Sequence, residues 1–478
     1  MEARSLKFVA EACDAELRCP SSVALRRVDG AEETLVKNVR TDSRQAQPGD
    51  LFFAIKGEKF DGHDFLSEVA GKGVAAVVVE KSKVQSPKSQ VASGVALLAL
   101  LAVDDARIAL GKLAAAYRKD FMLPMVCVGG SNGKTTVKEL IASALRQQLA
   151  ALWSEASFNN DIGVPLTLLR LEKSHQTAVL EAGTNHPGEL APLVKMIRPK
   201  YGVITNIGRE HLEYFGDVAG VAREEGWLAE LLPANGRLFV NGDNEWTEKI
   251  VRRARAGVVH VGLGERNDWR AEGIRPDKNG VTFRVEAPKI EWNGEYRINL
   301  LGRHQATNAL FAIAVSEELG LGRPAVRDGL AGCKPPKMRL QFWEAGGVHV
   351  LDDTYNANAD STLAALETLC DLPLQGRRVA VLGDMNELGA HSEAAHAEVG
   401  RRAAELGIGQ LFAVGKMAPV TARAARDAGL NRVIEFADVE TAMAAVKSFL
   451  KTGDVVLLKA SRAARLERIT ETLKAGKS

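Results

Sequence analysis

Residues 125–145, MVCVGGSNGKTTVKELIASAL, constrain the fold of this 478-residue chain more than any other stretch. The apolar run from Met125 reads as a buried strand, and apolar residues at Val137, Leu140, Ile141 and Leu145 recur with helical spacing. A strand that ends in glycines and enters a helix directly aims backbone N–H groups outward at the positive helix end, which makes an anion site. Gly130 and Gly133 let the backbone wrap phosphates closely, Lys134 is spaced to reach the β- and γ-phosphates, and the Thr135 hydroxyl to hold Mg²⁺. We therefore expect Gly130, Ser131, Asn132, Gly133, Lys134, Thr135 and Thr136 to bind ATP. The usual GxxxxGKS/T pattern would put its first glycine at Val128, so the loop is a shortened variant. A glycine-rich turn with a chance lysine is the alternative, and the flanking strand and helix argue against it. No NKxD tetrapeptide occurs, which argues against a switch GTPase.

The length implies about two to four domains. A formal net charge of +2 gives no reason to expect DNA or another polyanion as partner, although a local basic pocket for a phosphorylated small molecule is compatible with it. Cys13, Cys19, Cys127, Cys333 and Cys370 are scattered without a CxxC pair and read as reduced packing thiols. The N-terminus is amphipathic rather than a signal core, and the apolar run Val95–Val103 stops at Asp104 and Asp105. That is far short of the roughly 20 residues that span a bilayer. A cytoplasmic, monomeric protein with no nucleic-acid partner and no membrane span is the expectation.

Three regions are separable. Residues 1–103 mix short apolar runs with turn signals (RTDSRQAQPGDLFFAIKGEKFDGHDF, then GVAAVVVE), a small α/β module. Residues 104–333 open with a helical stretch, Arg107 to Asp120, and add the strand candidates TAVLEAG, YGVITN and RLFVN to the loop-bearing strand. Apolar strands alternating with helical stretches imply a mostly parallel sheet covered on both faces, with the alternating run Gly280 to Leu300 as an antiparallel addition. KPPK near Lys334 marks a break. Over 334–478, VHVLDD, RRVAVLGDM, QLFAVG and DVVLLKAS alternate with helical segments from Ser361, His391, Ala418 and Val439, a Rossmann-like layout without the GxGxxG fingerprint. The fold class expected is a three-domain α/β protein.

The ordered set TDSR and DGHDF, GSNGKTT, SFNNDIGVPLTLL, LEAGTNHPGE, TNIGREHLEYFG, GRHQATNAL, DDTYNANADS, LGDMNELG and LLKAS resembles the Mur ligases of bacterial peptidoglycan synthesis over nearly the whole chain. FNNDIGVPLTLL and TYNAN resemble the member that adds D-alanyl-D-alanine to UDP-N-acetylmuramoyl-tripeptide. The resemblance implies ATP and Mg²⁺ as cofactors and a reaction through an acyl phosphate. It also implies a uridine-nucleotide grip, a central ATPase domain and a C-terminal domain for the dipeptide, closing on one another. A sister amide ligase of the superfamily, such as folylpolyglutamate synthase, and a nucleotide-binding pseudoenzyme are the rival readings.

By that resemblance Lys134, Glu181, His211 and Glu225 form the catalytic set, with Thr135, Glu181 and His211 at the metal. A hard cation prefers oxygen, so the imidazole role rests on the resemblance rather than on its chemistry. Asn308, Arg339 and Asp353 are implied ATP contacts for adenine, phosphate and ribose. Ser43, Arg44, Asp61 and His63 are implied to grip the uridine diphosphate, while Asn159, Asn160, Tyr355, Asn356 and Asn358 would meet the rest of the substrate.

The pattern breaks at AREEGW, where Glu225 stands at the position of a lysine that family members carbamylate and Trp227 at that of an acidic residue. Glu225 supplies a carboxylate without CO₂, but on an arm roughly 4 Å shorter. A water, a backbone shift or the neighbouring Glu224 would have to make up that reach. Ala359 and Ala460 replace a usual proline and glycine, which puts local loop geometry in question.

Overall fold

The computed structural model describes residues 1–18, 32–84 and 98–475; Cys19 and the start of the Val95–Val103 run lie outside the described residues. The chain packs into two compact units. One comprises Met1–Met125, Ala150–Ala182 and Pro192–Arg198, the other Val126–Leu149, Gly183–Ala191 and Pro199–Ser478.

In the first unit a five-stranded sheet runs in the order Glu16–Arg18, Ala99–Val103, Ala76–Glu80, Leu51–Phe53, Val39–Arg40, parallel except for the first pair. Phe52, Val77 and Val79 pack from its face against Leu66 and Val69. The helical stretch expected from Arg107 is Ala106–Arg118. It starts one residue earlier because Asp105 accepts from the N–H groups of Arg107 and Ile108, an N-cap. Strand Thr177–Glu181 pairs in parallel with Ala151–Trp153 in the same unit.

The second unit holds the loop-bearing strand. Neighbouring strands follow the order Gly294–Ile298, Gly280–Glu286, Trp269–Asp277, Gly257–Gly262, Arg237–Asn241, Tyr201–Ile204, Met125–Gly129. Trp269–Asp277 to Gly294–Ile298 are antiparallel and the remaining pairs parallel, so the expected antiparallel addition is present and begins earlier, at Trp269. Helix Gln305–Glu318 packs on the loop helix Lys134–Leu145 and is buried almost all round. That leaves its sequence with little amphipathic pattern.

A six-stranded sheet completes this unit, in the order Gln341–Ala345, Val348–Asp353, Val455–Lys459, Arg378–Gly383, Gln410–Val414, Val433–Phe436. Only its first pair is antiparallel. The expected helices appear as Ala359–Asp371, Ser392–Glu405, Ala418–Asp427 and Val439–Phe449. Among the described residues no helix is long and apolar enough to cross a membrane.

Candidate active site

The phosphate loop is built around two glycines that no other residue could replace cheaply. Gly130 has φ +104°, and a Cβ there would lie 2.5 Å from Thr205 Oγ1. Gly133, at φ +87°, would bring a Cβ to 2.9 Å from Asn308 Oδ1. Both are left-handed and both lie against a neighbouring element, so glycine is needed for conformation and for space. Gly133 caps helix Lys134–Leu145 without a side chain, so the positive end of the helix faces the loop uncapped by any side-chain oxygen of its own N-cap. Asn206 and Gly208 hold the loop from the next strand's end. Asn206 accepts from the N–H of Asn132 (2.8 Å) and Ser131 Oγ accepts from the N–H of Gly208 (2.9 Å). Lys134 folds back, donating to Gly130 O and to Ser131 O (3.0 Å), with Glu210 Oε2 at 3.4 Å. Thr135 and Thr136 are buried on the helix's first turn.

Glu225 lies under this loop on helix Val218–Leu231 and is completely buried. Its Oε2 accepts from the N–H of Gly130 at 2.7 Å, and its Oε1 has no partner. Burial pushes the carboxyl up to about 7, against the pull of Lys134 and the Gly130 N–H, with Glu210 and Glu224 raising it further. Glu224 does not extend this arm: its two oxygens take the N–H groups of Gly188 (3.0 Å) and Leu190 (2.8 Å). Trp227 lies under the Arg253 guanidinium, 5.2 Å from the ring centroid, and Arg253 also pairs with Glu230 at 2.9 Å.

His211 follows strand Tyr201–Ile204 at φ +50°. Its Nδ1 makes a very short contact with Glu387 Oε2, while Nε2 is 3.9 Å from Glu210 Oε2. Arg209, two residues earlier, spans Asp360 (Nε to Oδ1, 2.8 Å) and Glu398 (Nη1 to Oε2, 2.5 Å).

Beyond Lys334, Asn358 Nδ2 donates to Asn132 Oδ1 at 2.9 Å, which brings the TYNAN segment to the phosphate loop. Asn358 also caps helix Ala359–Asp371 in a capping box with Ser361. Ala359 is the first helical residue, where proline is common but not required, and Ala460 is a buried residue with no left-handed φ. Neither alanine therefore disturbs its loop. Asp353 accepts from Lys459 Nζ (2.5 Å) and from the N–H of Leu340 (3.2 Å). Arg339 stacks over Tyr355, 4.1 Å from the ring centroid, and Lys459 also donates to Asn356 O at 3.0 Å. Asn308, expected at adenine, faces Gly133 of the loop and donates to Gln305 Oε1 at 2.8 Å.

The first unit carries the other expected residues. Glu181 is buried at the end of its strand, with Oε1 accepting from Asn159 Nδ2 at 2.8 Å and Oε2 unpartnered. Asn160 uses its Oδ1 to accept from the N–H groups of Ile162 and Gly163. His63 has both nitrogens engaged: Nδ1 with Asp61 Oδ1 at 2.6 Å, and Nε2 accepting from the Glu80 N–H at 3.1 Å. Ser43 is buried against Glu68, and Arg44 is exposed and paired with Asp42.

Three consecutive segments match family descriptions: the Mur ligase family catalytic domain over residues 35–118, the Mur ligase middle domain over 128–316, and the Mur ligase glutamate ligase domain over 338–462. The UDP-N-acetylmuramoyl-tripeptide–D-alanyl-D-alanine ligase of Escherichia coli (strain K12) is 37% identical over 452 residues, 93% of this chain and 95% of the relative. The chain belongs to the Mur ligase family. The ligase of the same name from Bacillus subtilis (strain 168) is 34% identical over 92% of this chain and 94% of its own length. Among solved structures, MurF from Acinetobacter baumannii matches with a TM-score of 0.86 at 30% identity over 99% of both chains. MurF ligase from Thermotoga maritima in complex with ADP matches at 0.78 and 27% identity, over 92% of this chain and 98% of that one.

Within this Mur ligase, Glu210, Glu387 and Lys459 touch the expected residues Lys134, His211 and Asp353, and Arg209 holds the His211 loop to Asp360; none of the four was singled out from sequence. Arg209 and Glu210 sit inside TNIGREHLEYFG and Glu387 inside LGDMNELG, and Lys459 ends an otherwise apolar strand in LLKAS. A charge that closes a buried strand is the signal that could have marked Lys459.

Proposed function

We propose that this Mur ligase joins the amine of D-alanyl-D-alanine to the terminal carboxylate of UDP-N-acetylmuramoyl-tripeptide in peptidoglycan synthesis, with ATP converted to ADP and phosphate. The observation that carries this reading is the end-to-end likeness to the Escherichia coli ligase of that name together with an intact phosphate loop. In this reading the peptide carboxylate oxygen takes the γ-phosphoryl group, the dipeptide amine attacks the acyl carbon, and phosphate leaves as the amide forms.

The residues proposed for each part have chemistry that fits. The N–H groups at the start of helix Lys134–Leu145 cradle phosphate, and Lys134 moves from its own loop carbonyls to the nucleotide. Thr135, Glu181 and His211 are the proposed Mg²⁺ ligands; the buried Glu181 Oε2 has no protein partner, as an oxygen kept for a cation would be. The ion, when bound, would offset the repulsion between two anions that must meet in line. Arg339 and Asp353 are proposed at ATP, and Tyr355, Asn356 and Asn358 at the reacting ends, with Lys459 fixing both Asp353 and the Asn356 carbonyl. Ser43, Arg44, Asp61, His63, Asn159 and Asn160 are proposed to form or shape the surface for the uridine-linked substrate. Glu225 is proposed to stand in for the carbamate. Its arm is short, and it acts on the loop itself, through the Gly130 N–H.

The test is phosphate release from ATP measured with each substrate alone and with both. Release that requires UDP-N-acetylmuramoyl-tripeptide and D-alanyl-D-alanine together, and ignores free glutamate, is the expected result. Release stimulated by glutamate in place of the dipeptide would overturn the reading.

A further inference from the structure

His211 is held by a residue from a distant part of the chain. Glu387 follows strand Arg378–Gly383, beyond the Lys334 break, whereas His211 follows strand Tyr201–Ile204 before it. The contact is made twice, by the Glu387 carboxylate on Nδ1 and by the Glu387 carbonyl, which accepts from the N–H of Glu213 at 3.0 Å. Both partners are non-glycine residues in the left-handed region, His211 at φ +50° and Glu387 at φ +61°. Such conformations persist only where surrounding contacts enforce them, and they cluster at functional sites. Three further contacts fasten the same loop: Arg209 to Asp360, Arg209 to Glu398, and His391 Nε2 to Gly216 O at 3.0 Å.

We propose that Glu387 is a positioning residue for the cation-side imidazole: by accepting the Nδ1 proton it fixes His211 in the tautomer whose Nε2 lone pair faces the phosphate loop. An ionised carboxylate only accepts hydrogen bonds, so the proton in this pair lies on Nδ1, and the neutral ring then keeps its lone pair on Nε2. Nε2 lies 3.9 Å from Glu210 Oε2, which is itself 3.4 Å from Lys134 Nζ, so Nε2 is the ring nitrogen on the phosphate-loop side. A carboxylate behind a ligating imidazole orients the ring and raises its basicity. Because the two residues come from opposite sides of the Lys334 break, the ligand is oriented only while those parts are docked. The inference rests on His211 being a cation ligand.

The experiment titrates Mn²⁺ into the full chain with ADP present, followed by electron paramagnetic resonance, for the unmodified protein and for H211A, E387A and E387Q. Glu387→Ala is expected to weaken Mn²⁺ binding about 10–100-fold, the range for loss of such a partner. Glu387→Gln keeps an acceptor oxygen and is expected to recover most of that loss. Unchanged affinity in E387A alongside weakened binding in H211A overturns the inference, whereas unchanged affinity in H211A overturns the reading of His211 as a ligand. A glutamine variant as weak as the alanine variant also overturns it, because the partner would then be an imidazolium held by charge. Should E387A fail to fold, ¹⁵N spectra of the histidines in the unmodified chain decide. A protonated Nδ1 with an unprotonated Nε2 on His211 supports the inference, and the opposite tautomer overturns it.

Discussion

The phosphate loop and the DGHDF turn were both read from short motifs, and their polar groups are used in opposite ways. Around the loop, buried groups are left with capacity. Helix Lys134–Leu145 begins without a side-chain cap, and Glu225 has one oxygen on Gly130 and one on nothing. In the turn the capacity is taken up: Asp61 binds the His63 ring and Lys83, and the second ring nitrogen accepts from Glu80. An unsatisfied buried polar group costs about 1–3 kcal/mol, so a fold keeps one where something binds or reacts. A satisfied cluster of the same residue types holds a turn in shape. Motif matching does not separate the two cases, and partner counting does.

The sharpest way to break this contrast is at Lys134. Lys134→Ala is expected to lower kcat about 100–1000-fold, the scale for removing one preorganised charge from a phosphoryl-transfer site, with little change in thermal midpoint. Steady-state phosphate release together with calorimetry checks it. A protein that unfolds but, where folded, keeps its rate would make Lys134 a structural residue.

Glu225 gives the next effect, in stability rather than rate. Its carboxyl is raised to about 7 in the folded chain from an ordinary 4.5, so the folded state binds the proton more tightly. The favourable contribution is complete below pH 4.5 and lost as pH rises through 7. Glu225→Gln keeps an acceptor for Gly130 without the charge. Its stability relative to the parent should grow across that window to on the order of 3 kcal/mol, at 1.36 kcal/mol per unit. Urea unfolding of both proteins at a series of pH values measures this, and a difference that does not change with pH would show that the carboxylate is ionised throughout.

The turn makes the smaller prediction. His63→Ala should destabilise the first unit by about 1–3 kcal/mol, since it strands Asp61 and the Glu80 N–H, and leave kcat at saturating substrate unchanged. A rise of tenfold or more in KM for the uridine-linked substrate, without loss of stability, would instead place the ring on the ligand and erase the contrast.

Much of the fold was legible because its signals are local. Continuous apolar runs such as those of Val348–Asp353, Arg378–Gly383 and Val455–Lys459 are buried on both faces, and the glycine loop spells out its own backbone. Helix Gln305–Glu318 escaped because it is buried all round and lacks a polar stripe, and strand Val433–Phe436 because it is short and partly exposed at a sheet edge. In the site, residue identity was legible and partnership was not. Glu387 lies 176 positions from His211, and Lys459 lies 106 from Asp353. No spacing rule links such pairs: adjacent strands of one sheet bring Lys459 to Asp353, whereas His211 and Glu387 follow strands of two different sheets.

Removing dissolved CO₂ is expected to have no effect on activity, if Glu225 takes the place of a carbamate as proposed. A carbamylated lysine would tie activity to dissolved CO₂, because the carboxylate would exist only as long as the carbamate did. Glu225 carries its carboxylate in the side chain, fully buried, with Oε2 on the Gly130 N–H at 2.7 Å. Glu224, the neighbouring carboxylate, is committed to Gly188 and Leu190. Coupling rates measured in degassed, bicarbonate-free buffer should therefore equal those with added bicarbonate. A strong bicarbonate requirement would mean that a lysine elsewhere forms the carbamate, and it would leave Glu225 without the role proposed for it. Under that outcome Glu225→Gln should keep full activity, whereas a loop-positioning carboxylate predicts that it does not.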